Sequence, residues 1–174
     1  MLSPERAPEK VEYETALETL KLNLLAPMML AKYFVPLLPN RLQSKQPLEK
    51  VEGLNNDLAV LAFMSARVGS ISDNARGGWY SYRSSKAGLN QLVKTLDIHL
   101  HRSSGGRAVS VGLHPGTVKT ELSREFWGGV EEGKLFEPGF SAERLVGVVR
   151  GLEGGLDGGM GGRCWDWRGE EVMP

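Results

Sequence analysis

The sequence predicts a single α/β domain in which helices flank a parallel sheet. Two short apolar runs, residues 58–64 and 108–113, are typical of buried strands in such a sheet. Apolar residues recur every three or four positions before, between and after these runs, as they do on amphipathic helices. Alternating helices and strands indicate parallel strands joined by crossover helices. The 174 residues are enough for one hydrophobic core.

The first predicted helix spans residues 12–38, where the apolar positions follow helical spacing and two prolines mark the end. The polar residues 39–56 then predict a loop. Residues 58–64 (LAVLAFM) predict the first strand, buried on both faces. The apolar helix positions are Leu17, Leu20, Leu24, Met28, Ala31 and Val35, followed by Pro36 and Pro39.

A second long helix is predicted to begin near Trp79 and to continue to Leu100. The segment SSGGR ends it with a pair of glycines. Residues 108–113 (AVSVGL) predict a second buried strand, which HPG terminates. The two strands and the helix between them form one crossover unit of a parallel sheet.

The carboxy-terminal part predicts one more helix and one more strand. The helix is expected over 141–152 with Ser141 as its N-cap. The glycine-dense residues 151–162 predict a flexible loop rather than a phosphate-binding turn, because no strand precedes them and no helix follows. RCWDW, residues 163–167, predicts the final strand.

Composition excludes several classes of function. Lysine and arginine number 21, as do aspartate and glutamate, so no net field favours nucleic acid or an anionic membrane. The first residues are polar, and charged and polar residues interrupt the apolar run 20–38, so we expect neither a leader nor a membrane span. The lone Cys164 favours a reducing, cytoplasmic location. Three scattered histidines predict no metal site.

The stretch WYSYRSSKAGL, residues 79–89, places a tyrosine and a lysine on one helix face. A helical residue advances by about 100°, so Tyr82 and Lys86 lie about 40° apart, whereas Tyr80 lies about 240° from Lys86. A neighbouring ammonium is expected to lower the pKa of the Tyr82 phenol from about 10. Tyr82 could then exchange a proton with an alcohol or carbonyl oxygen. From the spacing alone, a surface Tyr and Lys at a helix start is the commoner explanation.

Several segments in order resemble the short-chain dehydrogenase/reductase (SDR) family, in its branch of small carbonyl reductases and C-factor-like proteins. YRSSKAGLNQLVKTLDIHL after MSARVGSI carries the family's Tyr-x-x-x-Lys at Tyr82 and Lys86. HPGTVKT resembles its Pro-Gly loop, LNLLAP resembles the site of its active-site asparagine at Asn23, and GGRCWDWRG resembles the ending of this branch. The resemblance covers nearly the whole chain and implies a Rossmann-type, doubly wound parallel sheet.

The resemblance also implies roles for the matched residues. Tyr82 would protonate or deprotonate the substrate oxygen, while Lys86 would lower the tyrosine pKa and bind the nicotinamide ribose. The cofactor would be NADP or NAD, and the substrate a small-molecule carbonyl or alcohol. Four loop residues would lie against the nicotinamide and a fifth near its carboxamide or the phosphates. These cofactor-binding positions are Pro115, Gly116, Thr117 and Val118, with Thr120 as the fifth.

Asn23 has a physical argument of its own. Pro27 lacks an N–H, so it cannot donate the helical hydrogen bond that the carbonyl of residue 23 would receive. In the family, a backbone carbonyl that lacks its helical hydrogen bond is thought to hold a water. That water links this asparagine to the lysine, here Lys86, in a proton relay. A helix with a harmless kink is the alternative.

The catalytic serine is ambiguous in this sequence. Family members usually end the strand with two serines, and the second polarises the substrate carbonyl. Here the pair reads Ser65-Ala66, so the usual position carries no hydroxyl. Ser65 is the candidate by adjacency, and Ser70 in the following loop is the alternative.

The family's cofactor fingerprint, Thr-Gly-x-x-x-Gly-x-Gly, and its Asn-Asn-Ala-Gly segment are not found in these residues. We therefore expect residues 1–174 to form a single NAD(P)-binding domain that is incomplete at its N-terminal side, the C-terminal portion of an SDR domain. The enzyme hypothesis is an NAD(P)-dependent oxidoreductase that uses Tyr82. The sequence specifies neither the substrate, nor the choice between NAD and NADP, nor the activity of this chain alone.

A catalytically inactive interaction or regulatory subunit is the alternative hypothesis. In the family two long helices often form a dimer interface, and they correspond here to residues 12–38 and 79–100. The chain would then form a homodimer or pair with a full-length SDR.

Overall fold

The structure is a computed structural model that describes residues 4–41, 58–152 and 159–174. Most of the predicted loop 39–56 and part of the glycine-dense segment lie outside the described residues. Within the described ranges, no helix combines the length and the apolar character needed to cross a bilayer.

The predicted helix over 12–38 is confirmed, with an interruption that the sequence pattern did not specify. Helix α1 covers Tyr13–Leu20 and helix α2 covers Ala26–Phe34. A five-residue π-helical turn, Lys21–Leu25, joins them. A short 3-10 turn at Val35–Leu37 ends the segment close to the predicted prolines.

The central crossover unit also matches the prediction. Strand β1 is Ala59–Met64, helix α3 is Tyr80–Ser104 and strand β2 is Ala108–His114. The two strands pair in parallel from the first residue of each. Gly105 ends α3 with a φ of 70°, a left-handed conformation that glycine adopts at little cost.

Further elements follow β2: β3 Thr117–Val118, β4 Leu135–Phe136, α4 Pro138–Arg150, β5 Cys164–Asp166 and β6 Glu171–Val172. The order of the four-stranded sheet is β1-β2-β5-β6, in which β5 runs parallel to β2 and β6 runs antiparallel to β5. Strands β3 and β4 form a separate parallel pair.

The start of the last helix was predicted wrongly. Helix α4 begins at Pro138 with Glu137 as its N-cap residue, three positions before the predicted start. Proline suits a first helical turn because its φ is already helical and its missing N–H needs no partner there. The hydroxyl of Ser141 instead donates to the carbonyl oxygen of Pro115 at 2.8 Å.

Burial of the two long strands differs from the prediction. Every residue of β2 except the last is buried, as expected. In β1 only Phe63 is buried, and Met64 is 52% exposed. The difference arises because β2 lies between β1 and β5, whereas among the described residues no strand pairs with the outer edge of β1.

Helices cover both faces of this sheet, as a doubly wound fold requires. One core cluster joins β2 to α4, and the other joins β1 to α2 and α3. The first cluster contains Leu58, Val109, Val111, Leu113, Leu145 and Leu152, and the second contains Ala31, Phe63, Leu89 and Val93.

A buried polar group lies at the carboxyl end of β2, where His114 pairs with Asp166 of β5. The Asp166 carboxylate is 1% exposed and accepts hydrogen bonds from Arg67 at 3.1 Å and from Arg168 at 2.8 Å. Burial, with a smaller contribution from the Arg67 cation, lowers the pKa of His114 to about 4. Among the described residues, Nδ1 of His114 is buried and has no hydrogen-bond partner.

Replacing Gly69 by alanine should destabilise the fold. A Cβ at Gly69 would lie 2.7 Å from the backbone carbon and 2.8 Å from the carbonyl oxygen of Lys86, so main chain would have to move. We expect a loss of about 1–3 kcal/mol in the free energy of unfolding, measured by urea denaturation. Gly139→Ala is the matched control, because a Cβ there meets nothing within 4 Å. Equal stability of the two variants would contradict the close packing.

His114 should make the fold sensitive to acid. Its pKa is about 4 in the folded protein against about 6.5 when unfolded, so the unfolded chain binds more protons between these values. Stability should fall from pH 6.5 to pH 4.5 by no more than about 3 kcal/mol from this group. Urea unfolding at both pH values should show a smaller loss for His114→Gln. His99→Gln, at an exposed position, should lose as much stability between the two pH values as the wild type does. Equal losses of stability in the His114→Gln variant and the wild type would contradict the role of His114.

Candidate active site

The candidate site forms where the first two turns of α3 meet the carboxyl end of β1. Lys86 is 9% exposed, and its ammonium donates to the carbonyl oxygen of Met64 at 2.9 Å. The same ammonium lies 5.8 Å from the centroid of the Tyr82 ring. Tyr80 is 39% exposed. The structure therefore brings Tyr82 and Lys86 together, as the helical spacing predicted.

The direction of the Tyr82 pKa shift was predicted wrongly. Burial raises the pKa of Tyr82 above its ordinary value of 10. Burial also lowers the pKa of Lys86, and a smaller interaction with Cys164 opposes that change. Removal of water around the phenol thus outweighs the nearby cation. At neutral pH Tyr82 is a protonated phenol, the form that a proton donor needs.

Asn23 reaches α3 from the π turn. Pro27 cannot supply the N–H of a regular helical ladder, and a wider turn at this point is the usual response to such a break. Asn23 is 6% exposed, and its amide donates to the hydroxyl of Ser85 at 3.1 Å. Ser85 in turn donates to the carbonyl oxygen of Tyr82 at 2.8 Å. The structure joins Asn23 to the residue before Lys86, and the relay to the lysine itself stays a prediction.

Ser65 follows β1 directly and is 4% exposed. Its hydroxyl donates to the side-chain oxygen of Asn90 on α3 at 2.6 Å. This bond fixes the loop after β1 to α3. A role of Ser65 toward a substrate stays a prediction.

The alternative serine is also engaged within the loop. Ala66, at the usual position of the hydroxyl, is the N-cap residue of a short 3-10 turn over Arg67–Gly69. Ser70 is 2% exposed, and its hydroxyl accepts a hydrogen bond from the N–H of Asp73 at 3.0 Å. The choice between Ser65 and Ser70 therefore remains open.

The turn after β2 is packed against an aromatic wall. Gly116 has a φ of 76°, and a Cβ there would lie 2.6 Å from the Phe136 ring and 3.0 Å from the Trp167 ring. The two rings contact each other edge to face at 4.5 Å between centroids. Only glycine fits this position without a shift, so Pro115 and Gly116 are held rigidly at the carboxyl edge of the sheet. Thr117 and Val118 continue into β3.

Thr120 is used structurally at the next turn. It is the N-cap residue of a 3-10 segment, Glu121–Gly129, in which Thr120 and Ser123 form a reciprocal capping box. Within that segment the Phe126 ring lies 5.1 Å from the Trp79 ring, between centroids. Contact of Thr120 with a cofactor therefore stays a prediction.

The sequence pattern missed two polar residues that support the site, Ser85 and Asn90. Asn90 lies four positions after Lys86, so helix geometry places it on the same face. That spacing was the available signal. No local pattern indicated that its partner would be Ser65, which lies on another element.

Comparison with curated proteins finds relatives, although no family model matches the chain. The "C-signal" protein of Myxococcus xanthus is 31% identical over 163 residues, which cover 93% of this chain and 80% of that protein. A "1-hydroxy-2-glutathionyl-2-methyl-3-butene dehydrogenase" of a Rhodococcus species is 42% identical over 113 residues, 65% of this chain and 47% of the relative.

Solved structures show the same fold. The carbonyl reductase Sniffer of D. melanogaster superposes with a TM-score of 0.77 and 28% identity, over 100% of this chain and 63% of that one. An NADPH-bound carbonyl reductase from chicken fatty liver superposes with a TM-score of 0.73 and 24% identity, over 100% of this chain and 63% of that one. This second likeness shows the fold alone. The chain thus spans about half of the Rhodococcus relative and under two thirds of these structures. By sequence and by fold, the chain belongs to the short-chain dehydrogenase/reductase family.

Proposed function

We propose that the chain carries the proton-transfer site of an NAD(P)-dependent oxidoreductase that reduces a small-molecule carbonyl or oxidises the corresponding alcohol. The proposal is carried by one observation: the half-buried Tyr82 ring lies beside the Lys86 ammonium, which the carbonyl of Met64 holds in place. Its relatives support the chemistry, since one is named a dehydrogenase and another a carbonyl reductase.

The mechanism follows from the state of Tyr82. In reduction, its phenol donates the proton to the carbonyl oxygen as that oxygen gains negative charge. The phenolate left behind faces the Lys86 cation, which favours the charged form. In oxidation, the same phenolate accepts the proton of the alcohol. Asn23 and Ser65 complete the proposed site, with Ser70 as the alternative hydroxyl.

The residues present fit the nicotinamide end of NAD(P), which would supply or accept the hydride. The Lys86 ammonium has three N–H donors, and the Met64 carbonyl takes one, so donors remain for ribose hydroxyls. Gly116 keeps the turn of Pro115–Val118 compact beside them, and Thr120 follows it. The 174 residues contain no Thr-Gly-x-x-x-Gly-x-Gly segment, so of this sequence only Thr120 is proposed to lie near the carboxamide or the phosphates.

Tyr82→Phe should abolish most of the activity because it removes the proton donor and keeps the ring. We expect oxidation of NADPH or NADH with a panel of small ketones and aldehydes to slow at least about 100-fold. Tyr80→Phe, which alters an exposed phenol two residues away, should keep the wild-type rate. A Tyr82→Phe variant as active as wild type would remove this mechanism.

A non-enzymatic pairing role is the second candidate, favoured by an exposed apolar face on the π turn and α2. Large apolar surfaces of this kind mark sites of protein association. The partner we propose is a second copy of this chain. The face contains Leu22, Leu25, Met28, Met29, Leu30, Tyr33 and Phe34, all exposed.

Leu30→Glu should weaken this self-association. A charge on an apolar interface must be desolvated without a partner, so we expect the dimer dissociation constant to rise at least about tenfold. Analytical ultracentrifugation over a range of concentrations measures it. Leu122→Glu is the control, because Leu122 is similarly exposed but lies in the 3-10 segment after β3. A wild-type chain that stays monomeric throughout would exclude the pairing role.

A further inference from the structure

The first turn of α3 has no cap of its own. The N-cap position is Trp79, whose side chain makes no capping hydrogen bond. The first N–H groups of a helix have no partner within the helix, and Ser, Thr, Asp or Asn at the N-cap usually satisfies one of them. Because Tyr82 lies in this turn, whatever holds the turn also sets the position of its phenol.

Glu5, far away in the sequence, supplies the missing cap. Its carboxylate accepts a hydrogen bond from the N–H of Ser81 at 3.3 Å and another from the Ser81 hydroxyl. Its backbone carbonyl accepts the N–H of Trp79 at 2.7 Å. Glu5 is only 7% exposed. A carboxylate at a helix N-terminus is also favoured by the helix dipole.

The same contacts stabilise a strained residue beside Tyr82. Among the described residues, Trp79 is the sole non-glycine with a positive φ, at 57°. A bulky side chain in this region is unfavourable and persists only where surrounding contacts enforce it. The Trp79 ring contacts the Tyr82 ring edge to face, with 6.0 Å between centroids, and also lies beside the Phe126 ring. Glu5 therefore holds both the backbone next to Tyr82 and the ring packed against it.

We propose that Glu5 is a positioning residue for Tyr82, acting through Ser81 and Trp79 to fix the first turn of α3. The proposal rests on the proposed function, in which the Tyr82 phenol must meet the substrate oxygen. Loss of Glu5 would let the first turn of α3 fray and would admit water to the phenol. A displacement of the proton donor by about 1 Å is enough to slow the reaction strongly.

The test compares Glu5→Ala and Glu5→Gln with wild type by alkaline titration, following the ultraviolet absorbance of tyrosinate. Subtraction of the Tyr82→Phe titration isolates Tyr82. Loss of the Glu5 charge would lower the pKa of Tyr82 equally in both variants, whereas loss of the cap would lower it mainly in Glu5→Ala, so the pair of variants separates the two causes. We expect Glu5→Ala to lower the pKa toward about 10, and Glu5→Gln, which keeps an oxygen acceptor, to lie closer to wild type.

Glu9→Ala is the matched control, because Glu9 is an exposed glutamate of the same segment, and it should leave the titration unchanged. In the reductase assay, Glu5→Ala should lower kcat roughly 10- to 100-fold with little change in KM. A folded Glu5→Ala variant with the wild-type Tyr82 titration would overturn the proposal. If that variant does not fold, Ser81→Ala replaces it, and an unchanged titration there has the same meaning. A chain without reductase activity would count against the proposed function, while the titration would still decide the role of Glu5.

Discussion

The hydrogen bond from the Lys86 ammonium to the Met64 carbonyl is the contact on which the candidate site depends. A cation this deeply buried requires a partner, and the last carbonyl of β1 provides one at the edge of the sheet. Gly69 allows the loop after β1 to approach the backbone of α3. These contacts oppose both rotation of helix α3 about its axis and sliding of the helix along the sheet. Tyr82, one turn before Lys86, is fixed with the helix.

Burial gives this pair its chemical character. Each group taken alone is shifted toward its neutral form, because the protein interior replaces the water that would solvate its charge. The shifts do not act independently once a proton moves. When Tyr82 loses its proton, the resulting charge lies close to the Lys86 ammonium, and their attraction is stronger in a low-dielectric site than in water. In the proposed mechanism, burial keeps the proton on the phenol at rest, and attraction to the Lys86 ammonium offsets part of the cost that burial adds to releasing it.

The parts of this structure that could be predicted from the sequence are those governed by local periodicity. Strand β2 and the start of helix α3 were predicted to within one residue, although α3 continues four residues past the predicted Leu100. The Tyr82–Lys86 contact follows from helix geometry alone. The burial of β1 could not be predicted, because it depends on how many strands flank it in the sheet. The contact of Glu5 with Ser81 joins residues 76 apart, and no local pattern indicates it. The Tyr82 pKa shift also required the three-dimensional packing, since spacing reveals the cation and not the loss of water.

The π turn allows one helix to serve both candidate functions without conflict. Asn23 is directed inward and bonds Ser85, while Leu22 and Leu25 on either side are 52% and 46% exposed. A partner bound to the outer face would cover the leucines and leave the inward hydrogen bond unchanged. Association would even favour the site, because covering the outer face opposes fraying of the turn that carries Asn23. The two proposed roles, pairing and proton transfer, are therefore compatible on the same segment, and evidence for one would not count against the other.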